Sequence, residues 1–184
     1  MALVGLEVVK AWYGYSVVGL PWPELLPLDL CRISSFVCCA MLMLRSYPIF
    51  EVAYFWGIGG SVAAMLTPDL QAGFPAFEFM GFFAGHGLVL ASVMYAVSAF
   101  GFAPRLKSIA LAAVVSGAYM GLIAVVNILL GTNYLFLCHK PEITTIYDFL
   151  GPWPWYIASV WVIGVVVAYL LYLPFSKRPL PRER

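Results

Sequence analysis

The stretch SIALAAVVSGAYMGLIAVVNILLG, Ser108 to Gly131, runs from end to end without a charged residue. A helix needs about 20 mostly apolar residues to cross the hydrocarbon of a bilayer, and this stretch meets that length. Working outward, comparable apolar segments run from Glu78 to Phe102 and from Trp153 to Phe175, and then from Ile49 to Leu66 and from Leu28 to Leu44. Pro27, Pro48, Pro68, Pro104, Pro152 and Pro174 punctuate their ends, as helix-stopping residues do. The first segment, Met1 to Leu20, is apolar but contains Glu7 and Lys10. A signal peptide carries its positive charge before the apolar run and ends in a small-residue cleavage site, and this segment has neither mark. It reads as an imperfect first span. Glu7 and Lys10 are three apart, so they meet on one helix face turned toward protein or an interface.

Composition supports the same class. Of the 184 residues 63% are hydrophobic and 10% charged, with mean hydropathy +0.92. A soluble domain carries roughly a quarter charged residues. The expected fold is therefore all-α, a polytopic transmembrane helical bundle of about six spans. It forms one domain over residues 1–175, with 176–184 as a short basic tail. The net charge of +1 gives no reason to expect nucleic acid as a partner. There is no glycine-rich phosphate loop and no nucleotide fingerprint. Neither a cofactor nor a metal is expected. Cys138, His139 and Asp148 match no zinc spacing. Cys31, Cys38, Cys39 and Cys138 form no CxxC pair.

Loop charges set an expected orientation. Arg45, Arg105, Lys107 and the tail residues Lys177, Arg178, Arg182 and Arg184 fall on one side. Glu24, Asp29, Asp69, Glu142 and Asp148 fall on the other, with Arg32 and Lys140 its main cations. The positive-inside rule makes the basic side cytoplasmic. Both termini of a multi-pass cell-membrane protein would then be cytoplasmic.

Most of the remaining polar chemistry belongs to the outer side. Cys31 lies shallow in its span, and Ser34, Ser35 and Cys38 follow on the same helical face. Such a stripe must face helices or a cavity rather than lipid tails; ordinary helix packing also accounts for it. His86 stands between two glycines about 12 Å below the outer end of its helix. An intramembrane histidine is a functional candidate by default, weighed against a neutral histidine bonded to a neighbouring helix. Asn127 again falls in the outer half. A thiol, an imidazole and an amide at similar depth suit a Cys–His nucleophilic site oriented by a third group. Asp29 and Arg32 flank the thiol, and Arg32 would favour the thiolate. The long connection from Thr132 to Pro152 adds Asn133 and Tyr134. The run Gly-Pro-Trp-Pro-Trp-Tyr, 151–156, brings Trp153, Trp155 and Tyr156, which an aromatic belt at the membrane boundary also explains.

Several separated motifs, in order, carry a resemblance. They are Leu-Pro-Leu-Asp-Leu-Cys (26–31), Tyr-Phe-Trp-Gly (54–57), Leu-Thr-Pro-Asp-Leu (66–70), His86-Gly87, Gly-Thr-Asn-Tyr-Leu (131–135) and Gly-Pro-Trp-Pro-Trp-Tyr (151–156). From about Leu26 to Phe175 the chain resembles the YwaF-like integral membrane proteins, whose eukaryotic relatives are TMEM-type phospholipid acyltransferases. The resemblance implies a compact helical bundle of about seven spans, one more than counted here, which a helix before Met1 would explain. It implies that Cys31 and His86 are the functional pair. The family's first motif has histidine where this chain has Asp29, so no role of that histidine carries over. The activity it implies is thiol-dependent acyl transfer, with a phospholipid as acyl donor and a lysolipid as acceptor. Asn127 or Asn133 would orient His86 or donate to the oxyanion. Asp29, Arg32, Tyr134, Trp153, Trp155 and Tyr156 would contact the substrate. The competing expectation is a small transporter or a lipid- or metabolite-binding membrane protein using the same polar cavity. A structural subunit, with Cys31 and His86 far apart, is a third.

Overall fold

The computed structural model describes residues 1–68, 70, 72–141 and 146–176, with the side chain of Ile146 excepted. Asp69 and Glu142 of the acidic side, and the basic tail from Lys177 onward, lie outside the described residues. The chain is a helical membrane bundle, and each of the six expected segments is helical.

Helix α1, Ala2–Tyr13, continues as a π-helical turn, Gly14–Val18, and stops at Gly19, whose φ of 76° is the left-handed conformation glycine adopts most readily. A single turn, α2 (Trp22–Leu25), leads to α3, Leu30–Leu44. Helix α4, Tyr47–Phe55, passes through a π-helical turn at Trp56–Gly60 into α5, Ser61–Leu66. Helices α6 (Phe77–Ala99), α7 (Leu106–Leu130) and α8 (Trp155–Tyr172) complete the bundle. Four stretches have the length and apolarity to span: Tyr47–Leu66, Phe77–Ala99, Leu106–Leu130 and Trp155–Phe175. The other two expected spans are shorter. Helix α3 has 15 residues and α1 has 12.

Helix α3 is the hub. It packs against α1, α4 and α6, while α7 joins the bundle through α4, and α8 through α7. Cys38, Met41, Phe50, Ala53, Val93 and Ala96, from α3, α4 and α6, are fully buried. The outward faces of α7 and α8 expose Val114, Leu122, Ile128, Val166 and Leu170, the surface expected against lipid tails. Hydrogen bonds stitch the outer helices to α4 and its π-helical turn. Trp56 Nε1 donates to Ser116 Oγ at 2.8 Å, and the Tyr54 hydroxyl donates to the Leu171 carbonyl at 3.0 Å.

Gly57 lets α6 approach the π-helical turn. A Cβ placed there would stand 2.8 Å from Val93 Cγ2 and 3.3 Å from Val89 Cγ1. Both valines are stiff at χ1 and buried, so neither can swing aside. Gly57→Ala is expected to cost about 1–3 kcal/mol by overpacking. The thermal midpoint in detergent reads this. Adding Val93→Ala should recover part of the loss, and a midpoint in Gly57→Ala equal to wild type would refute the close approach.

Candidate functional site

Pro27 and the extended backbone at Asp29 (φ −66°, ψ 147°) start α3 abruptly, so Cys31 sits in its first turn as a half-buried free thiol. Asp29 does not cap its helix. Its carboxylate lies 3.7 Å from Arg32 Nε, and the Leu135 backbone N–H is turned toward it. Arg32 also donates to the Glu24 carbonyl at 3.5 Å. Deeper on the same face, Ser34, Ser35 and Cys38 are buried, so the polar stripe faces protein. Ser34 Oγ donates to the Leu30 carbonyl at 2.6 Å, which leaves Ser35 as the hydroxyl directed to a neighbouring helix.

That neighbour is α1. Lys10 Nζ donates to Glu7 Oε1 at 2.9 Å, and Ser35 Oγ reaches the same oxygen at 3.5 Å. The predicted meeting of Glu7 and Lys10 on one face is what the structure has. Its surroundings were not legible in the sequence: the pair lies along a glycine face of α6. A Cβ at Gly85 would stand 3.8 Å from Lys10 Nζ and 4.0 Å from Glu7 Oε1, and one at Gly81 would stand 3.7 Å from Lys10 Cγ. Further toward the loops, the same seam closes with the Tyr13 ring packed on Phe77, centroids 4.4 Å apart, and the Glu78 carboxylate acting on its hydroxyl.

His86 follows Gly85 and is 8% exposed. Its Nδ1 lies 2.7 Å from the Phe82 carbonyl, which can only accept, so the proton is assigned to Nδ1. Nε2 therefore presents a lone pair. It is buried and has no hydrogen-bond partner among the described residues. The Phe82 ring lies 4.2 Å away, and the Glu7 and Lys10 charges act on the imidazole. The same two charges, with Asp29, act on Cys31. Helices α3 and α6 pack on each other, but among the described residues no hydrogen bond joins Cys31 to His86. Register explains the gap. Cys31 lies four residues before Ser35, about 6 Å toward the loop face, whereas His86 lies near the Glu7 level that Ser35 shares.

The loop after α7 roofs this region, and Asn127 fastens it. Its Oδ1 accepts from Thr132 Oγ1 and the Tyr134 N–H, both at 2.9 Å, and its Nδ2 donates to the Tyr134 carbonyl at 3.0 Å. No bond from Asn127 to His86 is present. Asn133 acts likewise. Its Oδ1 accepts from the Cys138 N–H at 2.9 Å and the His139 N–H at 3.2 Å, while Nδ2 donates to the His139 carbonyl at 2.9 Å. Between these anchors Leu135 and Phe136 adopt φ of 57° and 53°. Left-handed backbone is costly for residues bearing a Cβ and persists where surrounding structure imposes it.

Aromatic residues knit the roof to the helices. The Tyr134 hydroxyl donates to the Pro23 carbonyl, and the Tyr119 hydroxyl to the Leu28 carbonyl at 2.7 Å. The Tyr156 hydroxyl donates to the Phe136 carbonyl. Tyr147 packs on both Phe136 and Tyr156. Desolvation raises the Tyr147 hydroxyl above its ordinary pKa, and the Tyr156 and Cys31 charges add to the rise. Sequence reading missed Tyr147, and nothing in its spacing marks it. Desolvation raises Tyr134 as well, aided by Asp29. Trp153 and Trp155 lie on the exterior, Trp153 with its indole N–H on the Leu137 carbonyl at 3.0 Å. Among the described residues no three His, Cys, Asp or Glu side chains are grouped to hold a metal ion.

No curated protein and no solved structure matches the chain. A family model does, over residues 1–172, a span that holds Glu7, Lys10, Cys31, His86 and the whole roof. The chain belongs to the TMEM164 family.

Proposed function

We propose that the protein is a membrane-embedded lipid acyltransferase or transacylase with Cys31 as nucleophile and His86 as general base. One observation carries the reading. A histidine Nε2 lone pair is buried without a proton donor, on the helix that packs against the one bearing the thiol. An unsatisfied buried acceptor is costly, and such groups concentrate where a reacting group completes them. The resemblance of the motifs at Cys31 and His86 to those of YwaF-like proteins and their acyltransferase relatives supports the same pair.

The chemistry balances without a cofactor. A phospholipid ester carbonyl enters between the two residues. His86 Nε2 takes the thiol proton as the Cys31 sulfur bonds to the carbonyl carbon. The ester C–O bond breaks, and the lysophospholipid alcohol leaves with the proton from Nε2. A second lysolipid hydroxyl gives its proton to Nε2, attacks the thioester and releases Cys31, which recovers the proton. Asn127 and Asn133 fix the roof, while Tyr134, Tyr156, Trp153 and Trp155 border the route by which a lipid arrives. Asp29 and Arg32 face the head group. The positive-inside rule puts the Arg45 and Arg105 face in the cytoplasm of a cell-membrane protein, so the site opens to the outer leaflet.

The test is acylation of the purified protein in vesicles of phosphatidylcholine carrying a radiolabelled acyl chain. Wild type is expected to take up label that hydroxylamine releases, and Cys31→Ala to take up none. Unlabelled wild type, or full acyl transfer by Cys31→Ala, would overturn the reading and leave lipid or metabolite binding in its place.

A further inference from the structure

Lys10 has no part in the mechanism just described, yet its charge acts on both of its residues. An ammonium carries three N–H donors. One of them meets Glu7 Oε1, and among the described residues no second acceptor is bound. The side chain is 23% exposed, so it is open on one side. Gly81 and Gly85 supply the room in which it lies.

Register places the Lys10 backbone at the level of the thiol. Glu7 and Ser35 meet at 3.5 Å across the α1–α3 contact. Lys10 is three residues from Glu7 toward the loop face, about 4.5 Å along α1. Cys31 is four residues from Ser35 in the same direction, about 6 Å along α3. The Lys10 and Cys31 backbones therefore stand at nearly one height. The folded-back Nζ lies against Gly85, next to His86. The ammonium therefore lies at the Glu7 level, against the helix that bears the imidazole and about one helical turn deeper than the thiol.

Charge decides what it can hold. Paired with Glu7, Lys10 forms a neutral unit and offers little to a standing anion such as a phosphate. A carbonyl oxygen that is neutral at first and gains charge as the sulfur attacks suits it better. A donor already fixed in a dry site stabilises that developing charge with little reorganisation. We propose that Lys10 is a catalytic residue, the oxyanion donor for the ester carbonyl that Cys31 attacks, with Glu7 as the positioning residue that holds its ammonium. This rests on the acyl-transfer reading above.

The experiment compares two reactions of the same thiol in full-length protein. One is acylation by labelled phosphatidylcholine vesicles. The other is alkylation by iodoacetamide, read at the Cys31 peptide by mass spectrometry, in which iodide leaves and no oxyanion forms. Lys10→Met is expected to slow acylation about 10²–10³-fold, the usual loss for one oxyanion donor. Alkylation should fall much less, since His86 still activates the nucleophile and only the Lys10 charge near the thiol is lost. The double variant Glu7→Gln with Lys10→Met removes both charges together, so no carboxylate is left buried alone. It should show the same split. Lys10→Arg should keep more acylation than Lys10→Met. Acylation by the double variant within about 3-fold of wild type, or equal loss of both reactions, would overturn the proposal. Wild type that alkylates but never acylates would instead overturn the acyl-transfer reading itself, and this inference with it.

Discussion

His86→Ala is expected to slow Cys31 acylation by about 10²–10⁴-fold, the range that a positioned general base contributes. Far more than loss of Lys10, it should slow iodoacetamide alkylation as well, because the thiolate is the species that both reactions need. The geometry sets this expectation. The Phe82 carbonyl fixes the Nδ1 proton and thereby aims a free lone pair from Nε2. His86→Gln keeps much of the volume but cannot take the proton, so it should fail as His86→Ala does. Retained alkylation and acylation in both variants would assign His86 to packing alone.

Arg105→Ala is expected to destabilise the bundle by about 2–4 kcal/mol, with no direct effect on the thiol chemistry. Glu51 is 6% exposed and accepts from Arg105 at 3.1 Å and from Ser108 Oγ at 2.5 Å. Taking away the guanidinium leaves a buried carboxylate with a hydroxyl for company. Arg105 also lies over the Tyr47 ring at 4.6 Å, so its loss removes a cation–π contact too. About a third of the Arg105 side chain is open, which keeps the estimate below that for a sealed pair. Thermal unfolding in detergent measures the loss. Arg105→Met with Glu51→Leu, which removes both charges, should be closer to wild type than Arg105→Ala. The opposite order would show that the pair itself contributes net stability.

The helices were legible because bilayer spans are written as long apolar runs. The ends of Ser108 to Gly131, read from sequence, differ from those of Leu106–Leu130 by one or two residues. The two shorter helices, α1 and α3, were legible as helices but not as short ones. Proline and glycine mark where a helix ends, whereas the change to a π-helical turn at Gly14 and the two residues gained at Tyr47 depend on tertiary contacts. Cys31 and His86 stood out because each is chemically unusual at its depth. Lys10 did not, because a lone lysine in an apolar run looks the same whether it snorkels to an interface or turns inward. Only α6, with glycine at 81 and 85, decides between these, and its register against α1 is not written in either segment. Asn127 was legible as important but not in what it does. Its spacing from Gly131 is that of a helix end, and its three bonds to Thr132 and Tyr134 hold a loop.

The 15 residues of α3 carry a consequence for any lipid that approaches them. A helix of that length covers about 22 Å, against roughly 30 Å of hydrocarbon. Packed among α1, α4 and α6, it does not meet the bilayer along its length, so the shortfall falls within the protein. It is taken up at the end that bears Asp29, Cys31 and Arg32, where the loop after α7 folds over the segment that leads into α3. On the acyl-transfer proposal, a lipid reaching the thiol there would keep its tails in oil while its ester groups stand under the roof. Such a substrate would not have to be lifted out of the membrane.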